Sequence, residues 1–294
     1  MIALHDWQLR ERVHLQRAER LVVGHEQRQR HGRGHPVEDF LFTYYTAKPN
    51  QLRRWHPGLG TAVPAADAPH RTWQLYRVTD DGWVTVDVEE LLSRRGVLLE
   101  AVRRLMRATL QREPMLGCFG MHEWAMVYRL GPDDVRHNTW PLRFGSDDIA
   151  GIVEQRGLRC THFDAYRFFT VPAAPLNATA LTRQRQPEHE QPGCLHAGMD
   201  LYKWAYKLIP AVPSELVLDA FELARDIRYV DMQASPYDLS ALGLEPIAVE
   251  TPQGRAEYVE RQRELTRRAA PIRRRLLEVC EQLTAAAHPR VVRD

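Results

Sequence analysis

His196, Asp200, Lys203 and Lys207 recur at i, i+4, i+7 and i+11 within CLHAGMDLYKWAYKL, a spacing that lines all four along one face of a helix. The remaining positions are mostly Leu, Met, Tyr, Trp and Ala. A helix apolar over most of its circumference belongs in a core, so its polar stripe should face a cavity or a bound partner. The plain alternative is a surface stripe of i,i+4 salt bridges. A second candidate is His122-Glu123 in GCFGMHEWAMVYRL, with Arg129 further along. Here charge sits among Phe119, Met121, Trp124, Met126 and Tyr128, and charged groups are buried only when paired or functional. Its alternative is a structural His–Glu or Arg–Glu pair tying two helices together.

Two further couples follow. In HFDAYRFF, a strand would put His162, Asp164 and Tyr166 on one face. In GHPVED, His35 lies close to Glu38 and Asp39 where a loop enters an aromatic helix. Thirteen histidines scatter some couples by chance, and His5-Asp6 and His25-Glu26, in a charged helix, are of that kind. The four in apolar surroundings carry more weight, because a buried charge needs a partner.

Two chemistries suit such a set. A His/carboxylate cluster drawn from several helices binds one or two metal ions, as in di-iron carboxylate proteins. The ligand set would then be His35, His122, Glu123, His162, Asp164, His196 and Asp200, with iron or another divalent transition metal as the cofactor. Against this, the chain has no HExxH, and Lys203 and Lys207 lie beside would-be ligands. Those ammonium groups suit an anionic substrate. The second chemistry needs no metal: a carboxylate activates water or steadies a cationic sugar, aromatics stack a base, and Lys or Arg holds phosphate. A lysine nucleophile is also chemically open. The acidic row Glu215, Asp219, Glu222 and Asp226 reads as a solvated helix face, while Asp226 and Asp231, near that helix's end, remain within reach of a site.

The elements that must position these groups are mostly helical. Residues 3–31 form one helix with Leu4, Trp7, Leu15, Ala18, Leu21 and Val22 on its apolar side, ended by Gly32 and Gly34. His35-Pro36 opens a second, VEDFLFTYYTA. A loop spans 58–69. Trp73–Val78 and Trp83–Val88 flank Thr79-Asp80-Asp81-Gly82 and predict a hairpin. Helix follows over 89–112, and Ser146 caps another that ends at Gly157. A strand is expected near 159–170, and PEHEQPG within 172–193 reads as an exposed loop or lid. Helices at 196–209, 214–233 and 255–286 complete the chain. The fold expected is mainly α with a small β element. With no repeat and no long linker, one α-rich domain over 1–294 is the economical reading.

Composition fits that picture: 44% hydrophobic and 27% charged residues exclude wholesale disorder. A net charge of +2, from 40 basic against 38 acidic side chains, argues against a general nucleic-acid coat. No apolar run reaches the roughly 20 residues of a membrane span, and the N-terminus lacks the layout of a signal peptide. Cys118, Cys160, Cys194 and Cys280 form no CxxC pair, so reduced thiols in the cytoplasm are expected and a zinc ribbon is not.

The strings HPVEDFLFTYYTAKPNQLRRWHPG, GCFGMHEWAMVYR, CTHFDAYRFF and GCLHAGMDLYKWAYKLIPAVPSEL resemble a family of actinobacterial proteins commonly named 3-methyladenine DNA glycosylases. The resemblance runs from about His35 to Asp238. It implies base excision of alkylated purines from damaged DNA, without a cofactor. The chain carries no helix-hairpin-helix signature followed by a catalytic Asp, so the family supplies no catalytic residue and the choice rests on the residues themselves. On that reading the catalytic set is Asp200, His196, Asp164, His162, Glu123 and His122. Trp204, Trp124 and Tyr166 would surround the base, and Lys203, Lys207 and Arg129 would hold phosphate or a small anionic ligand. The alternatives are the non-haem metal enzyme and a non-catalytic helical binding protein.

Overall fold

The structure, a computed structural model, describes residues 4–131 and 140–287. Among these residues it is mainly α-helical with one small antiparallel sheet. The chain divides into two compact units. The first comprises Met1–Arg107, Asp200–Glu222 and Pro271–Asp294, the second Ala108–Met199 and Leu223–Ala270. The divisions fall within helices, where no change of composition marks them.

In the first unit α1 (Leu4–Arg30) begins next to residue 3, which lies outside the described residues. Trp7, Ala18, Leu21 and Val22 are buried as their spacing requires, whereas Leu15 is 45% exposed. Trp7 stacks on Trp55 at 6.3 Å, and the pair closes over Val63 and Val84. The second expected helix is shorter than its sequence suggests. Residues 36–39 form a turn, α2 covers Phe40–Tyr44, and α3 (Pro49–Arg53) follows. Arg53 of α3 reaches Glu19 and Glu26 of α1 at 2.7 and 2.6 Å.

The hairpin forms around the Asp-Gly turn, with Gly82 at φ 80°, but its first strand is trimmed. β1 (Ala62–Pro64) arises inside the expected loop, β2 is Tyr76–Val78 and β3 is Trp83–Val86, in the order β1-β3-β2. Val63 and Val78 both pair with Val84, which places a β-branched residue at the centre of the sheet. Trp73 is excluded from the strand by a 3-10 turn over Pro69–Thr72. Val88 starts α4 (Val88–Leu110).

Beside the sheet, His56 is buried against Tyr76, Trp73 and His70. Burial, then the charges of His70, His14 and Arg54, push its pKa down to about 3. The unfolded chain takes up this proton near pH 6.5 and the folded one near 3. Stability is therefore complete above pH 6.5 and falls as the pH drops from there, by about 1.4 kcal/mol per unit for one proton. Urea midpoints at pH 7 and pH 5.5 should drop less in His56→Gln than in the native protein. Equal drops would locate the acid sensitivity elsewhere.

The second unit contains α5 (Met121–Val127), α6 (Ser146–Arg156), α7 (Phe163–Tyr166) and α8 (Gln186–His189). Ser146 is the first helical residue of α6 rather than its cap, and its hydroxyl donates to the Leu130 carbonyl instead. Gly157 ends the helix at φ 68°. The strand expected near 159–170 is not formed. His162 precedes the single turn of α7, so the face proposed for His162, Asp164 and Tyr166 does not exist. Three longer helices, α9 (Leu195–Lys207), α10 (Ser214–Gln233) and α11 (Pro252–Ala287), contribute residues to both units. Among the described residues no helix is long and apolar enough to cross a membrane.

Candidate metal centre

The second unit concentrates buried charge where α5, α9 and α10 meet. α5 is held at both ends by left-handed backbone: Phe119 and Gly120 at φ 49° and 68° before it, Arg129 at φ 53° after it. Gly120 is required by space as well. A Cβ there would lie 3.2 Å from the Ala234 methyl and 3.4 Å from the Tyr258 ring. Trp124, fully buried, donates from Nε1 to the Ala234 carbonyl at 2.9 Å and so pins α5 to the end of α10. Gly198 lets α9 approach α10, since a Cβ there would stand 2.8 Å from the Ile227 Cδ1 atom. These contacts carry His122 and Glu123, His196, and Arg228 and Asp231 to one place.

Nη1 of Arg228 donates to Glu123 Oε1 and to Asp231 Oδ2, both at 2.6 Å. His122 Nε2 lies 3.4 Å from Asp231 Oδ1 and 3.5 Å from Glu123 Oε1. Neither approach is aligned as a hydrogen bond, and Nε2 and Oδ1 are both buried without one. His196 Nε2 is 4.0 Å from Asp231 Oδ2, and its ring meets that of His122 edge-on at 4.1 Å. One donor atom from each of His122, His196 and Asp231 lies within 4.8 Å of the other two.

The electrostatics separate the two histidines. Burial would lower the pKa of His122, but Asp231 and Glu123 beside it raise it to about 9. Burial and the neighbouring His122 push His196 down to about 3, leaving its imidazole neutral with a lone pair to give. Asp231 stays ionised despite burial, because His122, His196 and Arg228 surround it.

A cavity of about 20 Å³ adjoins the cluster, lined by His122, His196, Cys118, Cys160, Cys194 and Tyr258. That is room for a water or a small ion and far less than a nucleobase needs. Burial raises all three thiols, Cys160 to about 12, so they face the cavity as neutral groups. His162 stacks on His196 at 5.8 Å and bonds through Nδ1 to Glu190 Oε2 at 2.9 Å. Gln186 Nε2 donates to the same oxygen at 2.7 Å.

The segment read as an exposed lid is thus partly buried. Gln186, Glu190 and Gln191 are all below a tenth exposed. Gln191 Oε1 accepts from the Met115 and Gly193 amides at 2.8 and 2.7 Å, and Gln262 donates to the Gly193 carbonyl at 2.6 Å. Its polarity serves buried backbone groups rather than water.

Of the residues anticipated from sequence, His122, Glu123 and His196 gather here with His162 alongside. The others make further contacts. Asp164 pairs with Arg183 at 2.6 Å and Arg167 at 3.3 Å, and the Tyr166 ring rests on Phe169. Arg129 is exposed and bonded to Glu154 at 2.7 Å, while Trp124 is enclosed by Phe144 and Arg143. Asp200, Lys203, Lys207 and Trp204 belong to the first unit. There Asp200 accepts from the Tyr45 hydroxyl at 3.0 Å and pairs with Lys203, whose ammonium also lies 4.2 Å from the Trp204 ring. Lys207 Nζ is 5.9 Å from the same ring. His35, also in the first unit, accepts the Val37 and Glu38 amides on Nδ1 at 3.2 and 3.1 Å, so that couple caps a turn.

Arg228 and Glu190 were missed. Arg228 has a sequence signal in retrospect: it stands three residues before Asp231, one helical turn away on the same face. The acidic row of α10 is not merely solvated, since Asp219 and Glu222 pair with Arg17 and Asp226 with Arg268. No family model matches the chain, and no similar curated protein or solved structure is found.

Proposed function

We propose that this protein is a non-haem metal enzyme in which His122, His196 and Asp231 hold one divalent transition-metal ion. The observation that carries the reading is the convergence of two imidazoles and a carboxylate, from three different helices, on donor atoms within 4.8 Å of one another beside a small cavity. Two histidines and one carboxylate are the ligand set of mononuclear iron(II) sites that keep positions open, and binding of the ion would displace the proton that Asp231 and Glu123 hold on His122. Such a centre supplies a Lewis acid and a place for water or dioxygen. The chain's own residues do the rest. Arg228 fixes both carboxylates, Glu123 places a second negative charge against His122, and the Glu190 carboxylate sets the ring of His162 next to His196. Outer partners of this kind orient ligands and tune the bound ion.

Base excision from alkylated DNA is less well supported by this geometry. The carboxylate best suited to it, Asp200, already answers Lys203 and Tyr45, and the cavity at the cluster has no room for a purine. The four cysteines are free thiols, which suits the reducing cytosol we assign to the protein.

Elemental analysis of protein purified without added metal, followed by anaerobic titration with iron(II), tests the proposal. About one ion per chain is expected, absent from His122→Ala. A protein that takes up no ion and releases methylated purines from DNA in the presence of chelator would overturn it in favour of base excision.

A further inference from the structure

The first unit contains a second cavity, of about 230 Å³, that the metal chemistry does not use. Its walls come from the ends of α3 and α9, from α4, and from the segment between the 3-10 turn and β2. Arg54, Arg95, His56, Trp73, Gln74 and Tyr206 line it, and not one of its lining residues is Asp or Glu. Neither guanidinium has a carboxylate partner among the described residues. Nη1 of Arg95 donates to the Lys207 and Ile209 carbonyls at 2.6 and 2.5 Å, which fixes the head of this side chain at the cavity wall. Arg54 sits 5.4 Å from the centroid of the Trp73 ring, and His56 packs against the same ring at 5.1 Å.

An independent feature points the same way. Leu75, on the cavity wall, has φ 66°, a left-handed conformation that a bulky side chain adopts only under constraint. Strain of this kind persists only where the surroundings hold it, and it gathers at ligand clamps. Here it turns the chain between Trp73 and β2, so that the indole lines the cavity and Tyr76 begins the strand.

We propose that this cavity binds a small organic oxyanion, with its phosphate or carboxylate on Arg54 and Arg95 and a flat ring against Trp73. Guanidinium groups bind both oxyanions through charge-assisted hydrogen bonds, and an indole edge or face accepts planar groups. The volume admits one ring with its anionic substituent. The site is independent of the metal centre, because every residue in it belongs to the first unit.

The experiment is calorimetric titration of the full chain with phenyl phosphate, benzoate and inorganic phosphate. One organic anion is expected to bind with a stoichiometry near one and more tightly than inorganic phosphate, and the stronger of the two identifies the oxyanion. Arg54→Gln, at an exposed position that leaves packing alone, should weaken that binding about tenfold or more, as should Trp73→Leu. Metal content should be the same in both variants. Arg95→Met tests the second guanidinium, with a melting curve to separate lost binding from lost carbonyl contacts. Absence of binding by all three probes up to about 10 mM, or full affinity in both Arg54→Gln and Trp73→Leu, would overturn the assignment.

Discussion

Asp231→Asn is expected to fold and to lose its metal. The substitution is nearly isosteric, yet it replaces a carboxylate with an amide, a poorer ligand for a divalent ion. It also removes the negative charge that His122, His196 and Arg228 all face. Changes to groups that merely support a ligand cost about 10–100-fold in metal affinity, so loss of a ligand should cost at least as much. Competition against a chelator of known affinity measures the difference. Arg228 keeps its bond to Glu123 at 2.6 Å, which limits the structural damage. Asp200→Asn provides the contrast. That change takes the Asp200 charge away from buried Lys203 and should lower the melting temperature while metal content holds. If the two variants behave the other way round, the centre lies elsewhere and the Asp200 stripe regains its standing.

Arg228→Met has the largest expected effect on stability. In the native protein one nitrogen holds Glu123 and Asp231 at 2.6 Å each, and all three side chains are almost completely buried. Removing the guanidinium takes its charge away from two carboxylates in a low-dielectric interior, where His122 stands beside both. Breaking a buried pair in this way costs about 3–5 kcal/mol, which for a chain of this size lowers the melting temperature on the order of ten degrees. A bound dication would take over part of the role of the guanidinium. The gain in melting temperature on adding iron(II) or zinc should therefore be larger in Arg228→Met than in the native protein. A variant that melts like the native protein without metal would show that the triad contributes little. An equal gain on adding metal would separate Arg228 from the metal site.

Several elements were legible from local patterns because local physics decides them. α10 begins at Ser214 after Pro213, as read from the sequence, since a proline before a run of helical period leaves little choice of start. The hairpin turn was equally clear, because Asp-Gly at 81–82 suits the left-handed backbone at Gly82. Where two periods competed, the pattern misled. CTHFDAYRFF alternates well enough for a strand, yet it pairs with no strand among the described residues and its centre closes into the short turn of α7.

The chemistry was legible only in kind. That His122, Glu123 and His196 would gather among apolar residues followed from composition around each of them, because a charge in such surroundings needs a partner. Which partner was a question of tertiary structure. His122 was paired in sequence with Glu123, but the carboxylate that completes the donor set is Asp231 on α10, brought in by the Trp124 bond to Ala234 and the close approach at Gly198. His162 found Glu190 in a segment whose polarity had suggested solvent. His196 and Asp200 lie one turn apart on a single helix and serve different units. Helical spacing determines which side chains share a face, an effect of a few bonds. Which of those faces meet is settled by packing between elements far apart in the chain, where one missing Cβ or one indole hydrogen bond selects the neighbour.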